Sequence, residues 1–309
     1  MRSHKFNKAR LFLGARVFWG IGLLWLVLVS SLVSGCDESV NPILGTEEAF
    51  TFYGFFNPRS DTQAVRVYSI DGILKPESRD NMDALVTSTN KQTGETQVWR
   101  DSVVVFDNGT VGHVFYALFR PEHNTEYTFE ATRSDGKHAF VDIKTPADGQ
   151  TDIVDIVSNR SNVKVTLHWS GVPKVLQTVA TYTVRVPFPD RTDTTTIRVR
   201  IPSGQAERIG PELWNVTIIP SLDIGTIFTA LSLRPGVNPI LLDEIDVGAF
   251  VVSEDWESPI GVFDEELLVQ PNAFSNVENG FGFIGGAYFD HFVFELSDKN
   301  KRDAGFDVE

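Results

Sequence analysis

The chain has 309 residues, 27 of them basic and 41 acidic, for a formal net charge of −14, and it has one cysteine. An acidic surface repels phosphate backbones, and no Lys/Arg cluster with interleaved aromatics occurs, which speaks against nucleic-acid binding. A single cysteine excludes an intrachain disulfide, so stability has to come from apolar burial, for which this length is ample.

The first 17 residues carry Arg2, Lys5, Lys8, Arg10 and Arg16 and no acid, and from Val17 to Val33 the chain is apolar apart from small residues. A basic head, an apolar stretch and then small residues is the layout of an export signal. The stretch is near the lower limit for spanning a bilayer, so a retained transmembrane anchor is the competing reading. Val33-Ser34-Gly35-Cys36 separates the two. It resembles a bacterial lipobox, in which a peptidase cuts ahead of a cysteine that already carries diacylglycerol. The thiol takes the lipid, and small residues at Ser34 and Gly35 let the backbone lie extended in the protease. Residues 1–35 are therefore expected to be a lipoprotein signal peptide and Cys36 the lipidated residue. Removing the five basic residues of the signal leaves 22 basic against 41 acidic, a net charge of −19. No thiol then remains to act as a nucleophile or metal ligand. Two or three acyl chains, at about 0.8 kcal/mol per buried methylene, make a lasting anchor. The implied partner is a membrane, through lipid on Cys36. The expected place is the outer membrane, facing the periplasm or the cell surface. Asp37 and Glu38 follow directly. Such acids resemble an inner-membrane retention signal in enterobacteria and a surface-export signal in Bacteroidota-like lineages, and both readings stay open.

Residues 36–48 read as an acidic tether, and strand signals begin at Ala49. "AFTFYGFF" (49–56), "QAVRVYSI" (63–70), "ALVTSTN" (84–90), "TQVWRDSVVVF" (96–106), "GHVFYALF" (112–119), "EYTFEATR" (126–133) and "HAFVDIK" (138–144) are short and bounded by turn residues. Gly94 and Gly136 sit where hairpins need a positive φ. Seven such strands predict an immunoglobulin- or fibronectin-like β-sandwich over 49–146. Pro146 and the polar run after it mark a boundary.

A second β-rich domain is expected over 151–297. Its clearest strand is "VKVTLHW" (163–169), with Val163, Val165, Leu167 and Trp169 inward. Strands at 177–188 and 195–201 follow, with Arg198 and Arg200 on the wet face, and then 213–219, 244–253 and 288–296. One helix is expected from an Asp223 cap, with Ile224, Ile227, Phe228 and Leu231 on one side. The tail, 298–309, reads as polar and frayed.

The lipobox, "FTFYGFF" with "QAVRV" close behind, "KQTGE", "YTFEATRSDGK" running into "DIKTP", and "NAFSNVENGFGFIGGAYF" (272–289) together resemble an uncharacterised family of Bacteroidota-type lipoproteins, catalogued as domain of unknown function 4249. The resemblance covers roughly residues 36–296 and is weakest over 200–270. It implies an all-β outer-envelope lipoprotein, often encoded near TonB-dependent transporters, and it implies no chemistry.

No catalytic residue and no cofactor is expected. The histidines are far apart in sequence, without metal-ligand spacing, and no Gly-x-Ser-x-Gly elbow occurs. Gly280-Phe281-Gly282-Phe283-Ile284-Gly285 has a dinucleotide-like spacing but lacks the helix and distal acid of that motif, and reads as a bend or bulge before the last strand. Glu254, Asp255, Glu257 and Asp264–Glu266 leave calcium binding open. The function expected is a non-catalytic accessory or binding role, docking on a transporter, a surface polymer or another envelope protein. The alternative is an envelope hydrolase of a polysaccharide or peptide. Trp256 and Phe263 are the candidate contact residues, since aromatics concentrate at binding hot spots. The competing role for both is to pin a long loop to the domain.

Overall fold

The computed structural model describes residues 48–70, 79–105, 109, 111–159, 162–187, 194–257 and 275–309. The chain is predominantly β, and the described residues include two short helices. Alternating apolar and polar residues set the first eight strands: β1 (Phe50–Phe56), β2 (Gln63–Ser69), β3 (Leu85–Asn90), β4 (Thr96–Val98), β5 (Arg100–Val105), β6 (Val111–Ala117), β7 (Glu126–Thr132) and β8 (His138–Lys144). Gly94 and Gly136 turn the hairpins at φ +74° and +85°. The stretch 96–106, expected as one strand, is two. Trp99 divides it: its backbone N–H donates to Val86 O and its indole Nε1 to Ser88 Oγ, each at 2.9 Å. The chain then leaves the β3 sheet and enters the other one as β5.

Strands β4, β3, β7 and β8 form one sheet, and β1, β2, β6 and β5 lie side by side in another. Between them Phe50, Phe52, Val65 and Phe115 meet Val86, Phe129, Val141 and Ile143 in a closed core. Phe52 and Phe129 touch edge to face, with centroids 5.1 Å apart.

The second half supplies β9 (Gln150–Asn159), β10 (Asn162–Ser170), β11 (Lys174–Pro187), β12 (Thr194–Pro202), β13 (Glu207–Gly210), β14 (Leu213–Ile218), α1 (Pro220–Ala230), β15 (Leu241–Val252), β16 (Gly280–Phe294) and α2 (Asp298–Ala304). Strands β13, β14, β10 and β9 make a third sheet. Val163, Val165, Leu167 and Trp169 are all buried in it, facing Tyr182, Ile245, Val247 and Val251.

One sheet runs through both halves, in the order β12-β11-β15-β16-β1-β2-β6-β5. Strand β16 is the tie. Gly280–Gly286 pair in parallel with Phe50–Phe56 of β1, and Ala287–Phe294 pair antiparallel with β15. The last strand of the chain thus completes the sheet of the first lobe and delivers Ile284 to its core. The glycine run, read from sequence as a bend before the last strand, lies inside β16. A Cβ on Gly286 would stand 2.2 Å from Lys144 O, and one on Gly282, at φ +100°, 2.1 Å from Phe52 O. Only bare backbone fits between β1 and the segment leaving β8.

Two end signals also resolve differently from the sequence reading. Helix α1 starts at Pro220, where a missing N–H costs nothing, and Ile219 precedes it with no side-chain cap. Asp223 is inside the first turn and accepts the Tyr182 hydroxyl instead of capping. The tail is not frayed. Ser297 caps α2 by accepting from Asn300 N, Gly305 closes it at φ +97°, and Ala304 and Phe306 are buried in the second core.

Candidate functional site

Of the three residues singled out in the sequence, the structure describes Trp256. Cys36 and Phe263 lie outside the described residues. Trp256 lies at the end of the β15 turn and is 6% exposed. Its ring meets Phe283 at 4.9 Å and Phe250 at 5.5 Å, both edge to face, and covers Gly285, where a Cβ would approach to 2.6 Å. Its carbonyl accepts Lys174 Nζ at 2.7 Å. Trp256 is therefore packed against the aromatic rings and bare backbone of β15 and β16.

The densest polar cluster joins the two lobes. Arg59, in the turn after β1, donates from Nη1 to Asp290 Oδ1 and from Nη2 to Asp148 Oδ1 at 2.8 Å. Its guanidinium stacks over the Tyr288 ring, 4.2 Å from the centroid. Asp290 Oδ2 accepts Trp169 Nε1 at 2.9 Å and Thr151 Oγ1 at 3.1 Å, and Oδ1 accepts His291 N at 3.1 Å. Tyr288 donates its hydroxyl to Ala147 O at 2.9 Å. Burial works against the charge on Arg59, but the bonds to Asp148 and Asp290 outweigh it and raise its pKa. Burial likewise pushes the Tyr288 hydroxyl up to about 12. Beside the cluster opens a concavity of about 590 Å³, lined by Pro58, Arg59, Arg120, Glu122, His123 and Asp148 among others. Several of its polar groups already have partners. Arg120 donates to Asp61 at 2.8 Å, and His123 Nδ1 donates to Pro146 O at 3.1 Å. The cluster ties the turn after β1 to β9, β10 and β16.

The acidic stretch read as a possible calcium loop is described only through Glu257. Glu254 and Asp255 border a second concavity of about 460 Å³ with Lys91, Glu126, Asp142 and Lys144. Lys91 donates to Asp142 at 2.8 Å there. Among the described residues, no three His, Cys, Asp or Glu side chains group as a metal site. The histidines make cross-strand partnerships that sequence distance hides: buried His113 Nδ1 donates to Asp101 at 2.9 Å, and His291 Nδ1 to Asp246 at 3.1 Å.

The surface with most to offer a partner is the outer face of the eight-stranded sheet in the second lobe. Residues directly paired across strands share a face. Phe250 pairs with Phe289, Gly248 with His291 and Asp246 with Val293. Thr181 pairs with both Asp246 and Arg200, and Thr183 with both Glu244 and Arg198. The opposite face of the same strands is core. Phe289 is 46% and Val293 53% exposed. The Phe250 and Phe289 centroids are 4.9 Å apart, and Phe55 from β1 joins Phe250 at 5.9 Å. Sequence reasoning placed Arg198 and Arg200 on the wet side, and both are exposed. It missed Phe250 and Phe289, although the alternation that assigns Val247, Ala249 and Val251 inward puts Phe250 outward. No protein-family model matches this chain, and no curated protein is significantly similar to it. The resemblance to the 4249 family gains no support from those comparisons.

Proposed function

We propose that the chain is a lipid-tethered envelope protein that works by contact, held on the membrane through Cys36 and serving as an accessory or binding component at a cell-surface assembly, such as one built on a TonB-dependent transporter. The observation that carries the contact role is the open outer face described above, with Phe289 and Val293 exposed on a sheet shared by both lobes. Exposed apolar groups gathered on one rigid face are a recurrent mark of interaction surfaces. The tether rests on the Val33–Cys36 run behind a basic, apolar head.

The first lobe we read as an immunoglobulin-type sandwich. Supporting this, β1-β2-β6-β5 facing β4-β3-β7-β8 follows the strand order of that fold. Tyr127, at the start of β7, accepts the Glu122 N–H on its hydroxyl at 2.9 Å, a return bond that such domains make at the same corner.

Mass spectrometry of membrane-extracted protein is expected to show an N-terminus at acylated Cys36, and Cys36→Ser to abolish both cleavage there and acylation. A photo-crosslinker at position 289, in whole cells, is expected to trap an envelope component that one at Leu118 does not. Turnover of a glycan or peptide by the purified protein, abolished by one carboxylate or histidine substitution, would overturn the contact reading.

A further inference from the structure

The second-lobe face carries polar groups of both signs beside its exposed rings. Register sets Arg200, Thr181, Asp246 and Val293 in one row across β12, β11, β15 and β16, with Arg198, Thr183 and Glu244 in the next. Two residues along β16 from Val293 stands His291, and two further stands Phe289 against Phe250. Gly248 sits opposite His291 and leaves a dip in the face bordered by the imidazole, its Cε1 lying 3.5 Å from where a Cβ would be, and by Asp290 O at 3.8 Å. Two of the acceptors are already oriented: Asp246 by His291 Nδ1, and Glu244 by Thr183 Oγ1 at 3.3 Å.

The sign balance selects the ligand class. Arg198 and Arg200 offset Glu244 and Asp246, so the face is locally near neutral on a chain of net charge −14. An anionic or cationic partner is drawn by a field of one sign, which this face lacks. Donors and acceptors interspersed around a ring platform instead suit a ligand that is uncharged, rich in hydroxyls and apolar on one side. Each hydroxyl can donate once and accept twice, so it can lie between an Arg and an Asp and satisfy both. Pyranose rings present such hydroxyls at their rim and a C–H surface that packs on an aromatic ring. Four strands at about 4.8 Å spacing span about 14 Å, room for a run of several sugars. Fixed side chains on a braced sheet also lower the ordering cost of binding.

We propose that the outer face of the second lobe binds a neutral polysaccharide chain laid across β12, β11, β15 and β16, with Phe289 and Phe250 as the stacking platform and Arg200, Asp246 and His291 as hydrogen-bonding groups. The proposal deepens the contact reading above and rests on it. Affinity electrophoresis of the full-length lipidated protein in detergent tests it, in gels holding a neutral glucan, mannan or xylan, or the neutral polysaccharide fraction of the producing cells' envelope. Polygalacturonate serves as the anionic control. At least one neutral polymer is expected to retard the protein. Phe289→Ala and His291→Ala are each expected to weaken that retention tenfold or more with an unchanged melting temperature, and Leu118→Ala, at an exposed apolar residue outside the face, to leave it intact. Retention on polygalacturonate alone, equal retention of both face variants, or no retention on any neutral polymer overturns the proposal. A protein crosslink at position 289 without polysaccharide retention refutes the glycan and spares the contact reading. Loss of both retires both.

Discussion

Trp169→Ala is the most informative single perturbation of the fold. The indole is fully buried, in the strand whose alternation places Val163, Val165 and Leu167 on the same side. A buried tryptophan hides roughly 150–250 Å², which at about 25 cal/mol per Å² corresponds to about 4–6 kcal/mol. Alanine recovers part of that, and measured aromatic-to-alanine losses run at about 3–5 kcal/mol. The indole N–H contributes separately, because it is one of the donors to Asp290. Losing one donor to a buried carboxylate costs about 1–3 kcal/mol, toward the lower end here because Thr151, Arg59 and the His291 amide still donate. Trp169→Phe keeps most of the packing and removes only that bond, so it is expected to cost about 1–2 kcal/mol against 3–5 for alanine. In an Asp290→Asn background the Phe substitution is expected to cost less, because the two groups are coupled. Urea unfolding followed by far-ultraviolet circular dichroism measures the native protein and the four variants. A loss below about 1 kcal/mol for Trp169→Ala would refute the core assignment. Equal losses for Phe and Ala would refute the division into packing and hydrogen bond.

Gly286→Val is expected to destabilise by about 3 kcal/mol or more, because its Cβ would meet the Lys144 and Thr145 backbone, whereas Gly225→Ala, with open space around it in α1, is expected to stabilise by about 0.5–1 kcal/mol; thermal melts compare them. Asp135 accepts two bonds from the Arg133 side chain and one from Lys137 N, which hold its carboxyl at about 2, below the ordinary 3.8. An acid depressed in the folded state stabilises above its unfolded pKa and loses that contribution as pH falls through the folded one. Asp135→Asn is therefore expected to differ from the native protein at neutral pH and to converge with it between about pH 4 and pH 2, with a carboxyl midpoint near 2 by NMR titration. A fragment of residues 46–146 lacks β16 and Ile284, so it is expected to show no cooperative melt; a sharp two-state transition with dispersed NMR signals would show that the first lobe closes without that strand.

The strands were legible because each lies half in a core and alternates accordingly: Val65 and Val67 are buried while Arg66 and Tyr68 stand on the other side, as the pattern requires. Both hairpin glycines were legible from turn chemistry alone. The division at Trp99 was not, since a β-rich run does not show where it changes sheets, and the event is fixed by a bond to Ser88 eleven residues earlier. Helix α2 carried its signals openly, with Ser297 at the cap, Lys301 and Arg302 in the last turn and Gly305 beyond. A polar, charged composition suggests a tail and outweighs them, while the burial of Ala304 and Phe306 depends on a core built elsewhere. The pairing of β1 with β16 had no local signal at all. Parallel neighbours some 230 positions apart share no turn, and only the glycines hint that something must pass close.

Strand β16 links that non-local pairing to the surface on which the contact reading depends. Its alternation sends Tyr288 and Asp290 inward and Phe289 and His291 outward, so the exposed groups stand between residues that are held from within. Asp290 is bound to Arg59 from the first lobe and to Trp169 and Thr151 from the second, and it also accepts the amide of His291. Tyr288 is covered by the Arg59 guanidinium and tied to Ala147. A strand fixed in this way on its hidden side has little freedom left to lose when something settles on its exposed side, and lost freedom is one of the terms that most weakens binding to shallow surfaces. The polar cluster at the lobe junction is then better understood as the support of the outer face than as a site of its own. Its Arg59–Asp290 pair sets the position of Phe289 and His291 from the reverse of the same strand.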